Sequence, residues 1–107
     1  MIRQVRPRYL AIQISSDLSI EEEDVKDVVW NAILQLFGQY GASKTSLFLI
    51  DYKKEKKQAI FRCSHKALPI VHASVASITK IKGEPATFHV SKISGTLKAL
   101  RKKHTDQ

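Results

Sequence analysis

A change of hydrophobic period inside one stretch, Gln58–Gly83, constrains this chain most. Ala59, Phe61 and Cys63 alternate with Ile60, Arg62 and Ser64, the period-two pattern of a strand. The period then lengthens. Leu68, Val71, Val75 and Ile78 recur every three or four residues, as on a helix, and the pattern stops at Gly83. Pro69 stands near the helix start, where its missing N–H costs least. Arg62, in mid-strand, faces either water or a ligand, and the pattern alone leaves both open.

The remaining chain supplies partners for this strand and helix. Residues 1–7 read as a loose basic arm. From Arg8 to Ser15, Leu10, Ile12 and Ile14 form a core face opposite Tyr9, Ala11 and Gln13. Ser19 and Glu22 have capping-box spacing before a helix expected over about Ile20–Tyr40. Its buried stripe is Val25, Val28, Val29, Ala32, Ile33, Leu36 and Phe37, with Trp30 and Leu34 toward the edge, and Gly38 or Gly41 ends it. Thr45–Tyr52 is apolar on both faces, which predicts a strand covered on both sides. Lys53–Lys57 makes a basic hairpin tip. Glu84–Lys92 is a fourth strand, with Ala86, Phe88 and Val90 inward and Thr87, His89 and Ser91 outward. Ser91 or Ser94 is expected to cap a last helix reaching about Lys103, apolar through Ile93, Leu97 and Leu100. Residues 104–107 read as a frayed tail.

The order β-α-β-β-α-β plus a C-terminal helix predicts an α+β, ferredoxin-like domain, a split-βαβ sandwich. At 107 residues the chain is one domain. RNA-recognition-motif domains share this order and stack bases on aromatics of the open sheet face. Of the residues assigned to that face, only Tyr9 is aromatic, so the expected grip on RNA is electrostatic. The double-sided second strand and the apolar last helix suggest that the face is partly covered, by that helix or by another protein.

Charge points the same way. The net charge is +8, but Asp17–Asp27 alone holds six acids and one lysine. The rest of the chain therefore carries a net +13, a basic surface suited to a polyanion. The lone Cys63 excludes an internal disulfide and fits a reducing compartment. No apolar run approaches a membrane span, so a cytoplasmic protein is expected. The four histidines have no metal-like spacing. Ser94-Gly95-Thr96 is neither a nucleophile elbow nor a phosphate loop. Asn31, the one asparagine, lies mid-helix, which argues against an acylphosphatase. An independent enzyme is not expected. The alternative is a protein-interaction module whose basic charge is incidental.

Arg8-Tyr9, Phe61-Arg62-Cys63-Ser64-His65, the Val71–Ile78 helix and Ile93-Ser94-Gly95-Thr96-Leu97 together carry a family resemblance. Over roughly residues 7–103 the chain resembles the archaeal component-2 proteins of ribonuclease P, in the Rpp14/Pop-five family. The resemblance implies a non-catalytic protein subunit of an RNA-based endoribonuclease that removes the 5′ leader from precursor tRNA. The partners implied are the catalytic RNA, precursor tRNA and a barrel-shaped protein, component 3, in a heterotetramer that allows a homodimer of this chain. No cofactor of its own is implied, although the ribozyme would need Mg2+. Arg62, His65, Lys66, Ser94, Gly95, Thr96 and Lys98 match recurrent positions of the family. RNA contacts are expected at Arg8, Lys53, Lys54, Lys56, Lys57, Arg62, His65 and Lys66, and at Lys98, Arg101, Lys102 and Lys103. Protein contacts are expected at Trp30, Leu34, Phe48 and Ile50.

Overall fold

The alternation at residues 8–15 forms β1 (Pro7–Ser15), an inner strand of the sheet. It is followed by α1 (Glu22–Ser43), β2 (Phe48–Lys53), β3 (Gln58–Ser64), a 3-10 turn (His65–Ala67) and α2 (Leu68–Ala76). A small hairpin, β4 (Lys80–Ile81) and β5 (Glu84–Pro85), precedes β6 (Thr87–Ser94). The computed structural model describes residues 6–100. The expected arm over residues 1–5, the end of the last helix with Arg101, Lys102 and Lys103, and the tail lie outside these.

The main sheet has the order β2-β3-β1-β6, antiparallel at every pairing. With two helices packed on one face, this is the expected ferredoxin-like arrangement. The core joins Leu10, Ile12 and Ile14 to Ala59, Phe61 and Cys63, to Val25, Val29 and Ile33 of α1, and to Val71 and Val75 of α2.

Four local expectations are corrected. First, α1 is capped by Glu21, not Ser19, and the Glu21 N–H donates to Asp24 Oδ2 at 3.0 Å. The chain stays extended through Ile20 because that side chain is fully buried and its carbonyl accepts the Tyr52 hydroxyl at 2.8 Å. Ile20 and Val25 then occupy the two positions of a hydrophobic staple.

Second, Gly38 breaks α1 without ending it. Its φ of 73° and ψ of 179° are open almost only to glycine. Helix resumes beyond it and buries Ala42, while Leu36 and Phe37, expected in the stripe, are 50% and 41% exposed.

Third, α2 ends at Ala76 rather than running to Gly83. Ser74 and Ser77 donate side-chain hydrogen bonds to the carbonyls of Ile70 and Ser74, a local competitor of helix propagation. Lys82 (φ 52°) and Gly83 (φ 80°) then make the tight turn between β4 and β5, of the type whose two central residues both require positive φ.

Fourth, β2 is an edge strand and is not covered on both sides. Phe48 is 59% exposed, and Ile50 also reaches solvent. The pairing of β2 with β3 slips by one residue between Leu49 and Asp51. Without that bulge, counting back from Lys53–Gln58 would set Phe48 opposite Cys63, on the core side. With it, Leu49 faces the core beside Phe61, and Phe48 faces outward beside Arg62.

Candidate nucleic-acid interface

On the sheet face away from α1 and α2, the strand registers set side chains in rows. One row is Phe48, Arg62, Tyr9 and Ser94; the next is Asp51, Ile60, Ala11 and Lys92; a third is Lys53, Gln58, Gln13 and His89. The middle row is partly roofed. Ala11, Ile60 and Leu100 are buried together, with Tyr9 and Leu97 packed against them. Leu97 and Leu100 belong to the helical segment that begins at residue 97, so the C-terminal helix lies over β1 and β3. Thr96 caps it, its Oγ1 accepting the Ala99 N–H at 3.2 Å. Neither serine expected as the cap serves. Ser91 Oγ donates to the Ala11 carbonyl, and Ser94 Oγ accepts the Thr96 N–H. Ile93, assigned to this helix from its spacing, lies in β6 opposite Leu10.

The antiparallel registers also sort the basic residues. The start of β1 pairs with the ends of β3 and β6. Arg6, Arg8, Arg62, His65, Lys66 and Lys98 therefore gather at one end of the sheet, where the His65 N–H donates to the Arg6 carbonyl at 2.7 Å. The segments forming this end, residues 6–9, 62–66 and 94–98, carry no carboxylate. The Arg62 guanidinium is exposed and makes no hydrogen bond or ion pair within the described residues. Arg8 lies half-buried on the helix side, opposite Cys63, and its Nη1 donates to the Pro7 carbonyl at 3.0 Å. A methyl group at Gly95 would stand 3.4 Å from that Nη1, in ordinary contact. The guanidinium thus rests against the Ser94–Thr96 turn.

The Lys53–Lys57 tip lies at the other end, separated by the length of β3, about 20 Å for seven residues. It adjoins the acidic start of α1. Lys54 pairs with Glu21, Lys57 Nζ donates to the Ser16 carbonyl, and Lys82 pairs with Asp24 at 2.9 Å. The acidic segment therefore faces basic side chains of this hairpin and of the β4–β5 turn. It neutralises part of this end, and among the described residues Lys53 and Lys56 are the lysines of the tip without such a bond. The Tyr52 phenol, half-buried near the same carboxylates, is pushed above its ordinary pKa by partial burial first and by Glu21 and Asp24 next.

The four residues expected to meet a protein are divided. Trp30 and Phe48 line an apolar groove of about 320 Å³ along the β2 edge, with Lys26, Asp27, Leu47, Leu49 and Phe61. Leu34 is half-buried against the core, and Ile50 stands at the bulge. Exposed Leu36, Phe37 and Tyr40 extend the apolar surface of α1, a feature that a straight helical wheel through Gly38 hides. Burial pushes the Cys63 thiol up to about 11, partly countered by Arg8. Among the described residues no three His, Cys, Asp or Glu side chains group as a metal site needs. No helix among them is long and apolar enough to cross a membrane.

Comparison with known proteins places these features in a family setting. The model of the Rpp14/Pop5 family matches residues 8–105. The chain is 29% identical to ribonuclease P protein component 2 of Pyrococcus furiosus, over 95% of this chain and 85% of that protein. It is 32% identical to the component 2 of Methanobrevibacter smithii, over 89% and 85%, and to that of Methanosarcina barkeri, over 94% and 73%. A chain in the cryo-EM structure of yeast ribonuclease MRP has the same fold, with a TM-score of 0.74 at 15% identity, covering 99% of this chain and 97% of that one.

Proposed function

The chain belongs to the Rpp14/Pop5 family, and from that premise we propose that it is an RNA-binding protein subunit of ribonuclease P with no catalytic groups of its own. It assists a catalytic RNA in removing the 5′ leader of precursor tRNA. It holds RNA phosphates through the Arg62 end of the sheet and pairs with a second protein of the particle. The observation that carries this reading is the sorting of charge. Arg6, Arg8, Arg62, Lys66 and Lys98 share one end of the sheet with no carboxylate on its segments. Phosphate contacts by lysine and arginine dominate affinity for RNA and make it salt-dependent. Lys53 and Lys56 form a secondary contact at the far tip, and Arg101, Lys102 and Lys103, which lie outside the described residues, are further phosphate contacts in this reading. Names of relatives, ribonuclease P protein component 2, support the assignment.

The protein partner, a barrel-shaped component 3, takes the apolar side of α1 around Trp30. A second copy of this chain completes a heterotetramer. Reconstitution tests the proposal: precursor-tRNA cleavage by the catalytic RNA, component 3 and Mg2+ is measured with and without this chain. Addition is expected to raise cleavage. Equal rates with and without it, together with no RNA binding at low salt, would sink the reading. The exposed Trp30, Leu36, Phe37 and Tyr40 favour a second reading, a protein-interaction module with incidental charge. That reading predicts capture of a protein without RNA after nuclease treatment.

A further inference from the structure

We propose that one unpaired nucleotide of the bound RNA seats its base against Phe48 and the Arg62 guanidinium, at the uncovered end of the open sheet face. The site rests on the RNA-binding reading and deepens it from phosphate contact to base contact. Phe48 and Arg62 are direct partners across β2 and β3, and Tyr9 is the direct partner of Arg62 across β3 and β1. An aromatic ring, a guanidinium plane and a second ring therefore stand on one face at successive strand spacings of about 4.8 Å. The C-terminal segment covers the Ile60–Ala11 part of this face but leaves Phe48 59% exposed. Beside Phe48 and Arg62 lies a recess of about 210 Å³, also lined by Pro7, Ser46, Cys63 and Ser64. That is less than the roughly 300–1,000 Å³ of pockets for drug-sized ligands, a scale that suits one planar ring system. The serine hydroxyls at its rim are groups a base edge can hydrogen-bond.

Two observations favour a nucleotide over an apolar protein segment. The guanidinium, unpaired among the described residues, borders the ring, and residues 6–9 and 62–66 carry positive charge and no acid, Asp51 standing one row away toward Ile60. A base with its phosphate uses the π face and the charge together, because bases stack on aromatic rings and on arginine planes. An apolar peptide would leave Arg62 desolvated without a partner. The bulge adds to this. By slipping β2 one residue it exposes Phe48 in place of Leu49, a ring that stacks in place of a side chain that does not.

The test compares the full-length chain with single substitutions, binding a single-stranded RNA of about ten nucleotides and a duplex of the same length. Phe48→Ala is expected to weaken single-strand binding about five- to a hundredfold, with the salt slope unchanged and duplex binding unaffected. Phe48→Trp restores binding. Phe48→Leu, which retains apolar bulk without a π face, does not, and it serves as the readout if the alanine variant fails to fold. A 2-aminopurine in the single strand should be quenched by wild type and not by Phe48→Leu. If Phe48→Ala and Phe48→Leu both bind single strands as wild type does, with salt-dependent binding intact, the base site is overturned while the phosphate reading stands. Loss of component-3 capture in Phe48→Ala with RNA affinity unchanged also overturns it and assigns the ring to the protein surface. Absence of RNA binding by wild type at low salt removes both readings.

Discussion

Nζ of Lys82 sits 2.9 Å from Oδ2 of Asp24, tying the first turn of α1 to the tip of the β4–β5 hairpin. The Lys82 hydrogen bond first, and the Glu21 N–H second, hold the Asp24 carboxyl below its ordinary pKa of 3.8. A depressed carboxylate stabilises the fold above its unfolded pKa, and that contribution disappears as pH falls through the lower folded value. Asp24→Asn retains an acceptor for the Glu21 N–H but removes the charge facing Lys82. Its thermal midpoint should lie below wild type at neutral pH, and the gap should close below about pH 3.8. A gap that persists in acid would mean that shape, not charge, links the two elements.

Gly38 and Gly41 resist substitution for different reasons. At Gly38 an added Cβ meets nothing within 4 Å, so the cost of Gly38→Ala is backbone strain at φ 73°, about 1–3 kcal/mol. At Gly41 the Cβ would stand 2.7 Å from Cβ of Phe37. Phe37→Ala keeps that atom, so it should not rescue Gly41→Ala, whereas Phe37→Gly should relieve the clash. Denaturant unfolding of the single and double variants separates the two causes.

Cys63 stays a thiol far above neutral pH, because burial raises it from 9.0 to about 11. Between those values the unfolded chain loses the proton while the folded chain keeps it, so stability should fall as pH rises from 9 toward 11. Cys63→Ala should remove that slope. A thiol reagent at neutral pH should modify the native protein only at the rate of its opening.

The sheet, its core face and the basic character of the chain are legible in the sequence because each rests on a repeating pattern. Leu10, Ile12 and Ile14 alternate, and Val25, Val29 and Ile33 keep a helical period. What was not legible rests on single residues. No residue type marks the slip at Ile50 that turns Phe48 outward, so an open face judged poor in aromatics proves to carry Phe48 and Tyr9 on either side of Arg62. Lys82-Gly83 lacks the Asn-Gly or Asp-Gly signature of its turn type, and the helical spacing of Ile78 concealed the hairpin. The grouping of Arg8, Arg62 and Lys98 depends on pairing between strands far apart in the chain.

Leu100, 1% exposed, closes the second apolar cluster over Ala11 and Ile60. Leu100→Ala should cost about 2 kcal/mol, the lower end for a buried leucine, since its cluster has only Ala11 and Ile60 as further buried members among the described residues. The loss should appear in urea unfolding, with little change at the α1–α2 core. A neutral result would mean that the last helix contributes no stability to the sheet.

The two ends of the sheet should differ in their hold on RNA although both are rich in lysine and arginine. Lys54 already faces Glu21, and Lys57 is tied to the Ser16 carbonyl. A phosphate arriving there must displace a partner or share the cation with a carboxylate, which reduces the gain. Arg62 faces no such competitor within the described residues. Arg62→Ala is therefore expected to lower the salt slope of RNA binding by about one. Lys54→Ala should leave the slope nearly unchanged, and Glu21→Gln, by releasing Lys54, should strengthen binding slightly at low salt. Titrations of RNA affinity against salt for these variants decide the matter. Equal slope changes for Lys54→Ala and Arg62→Ala would show that the acidic start of α1 does not screen the hairpin tip.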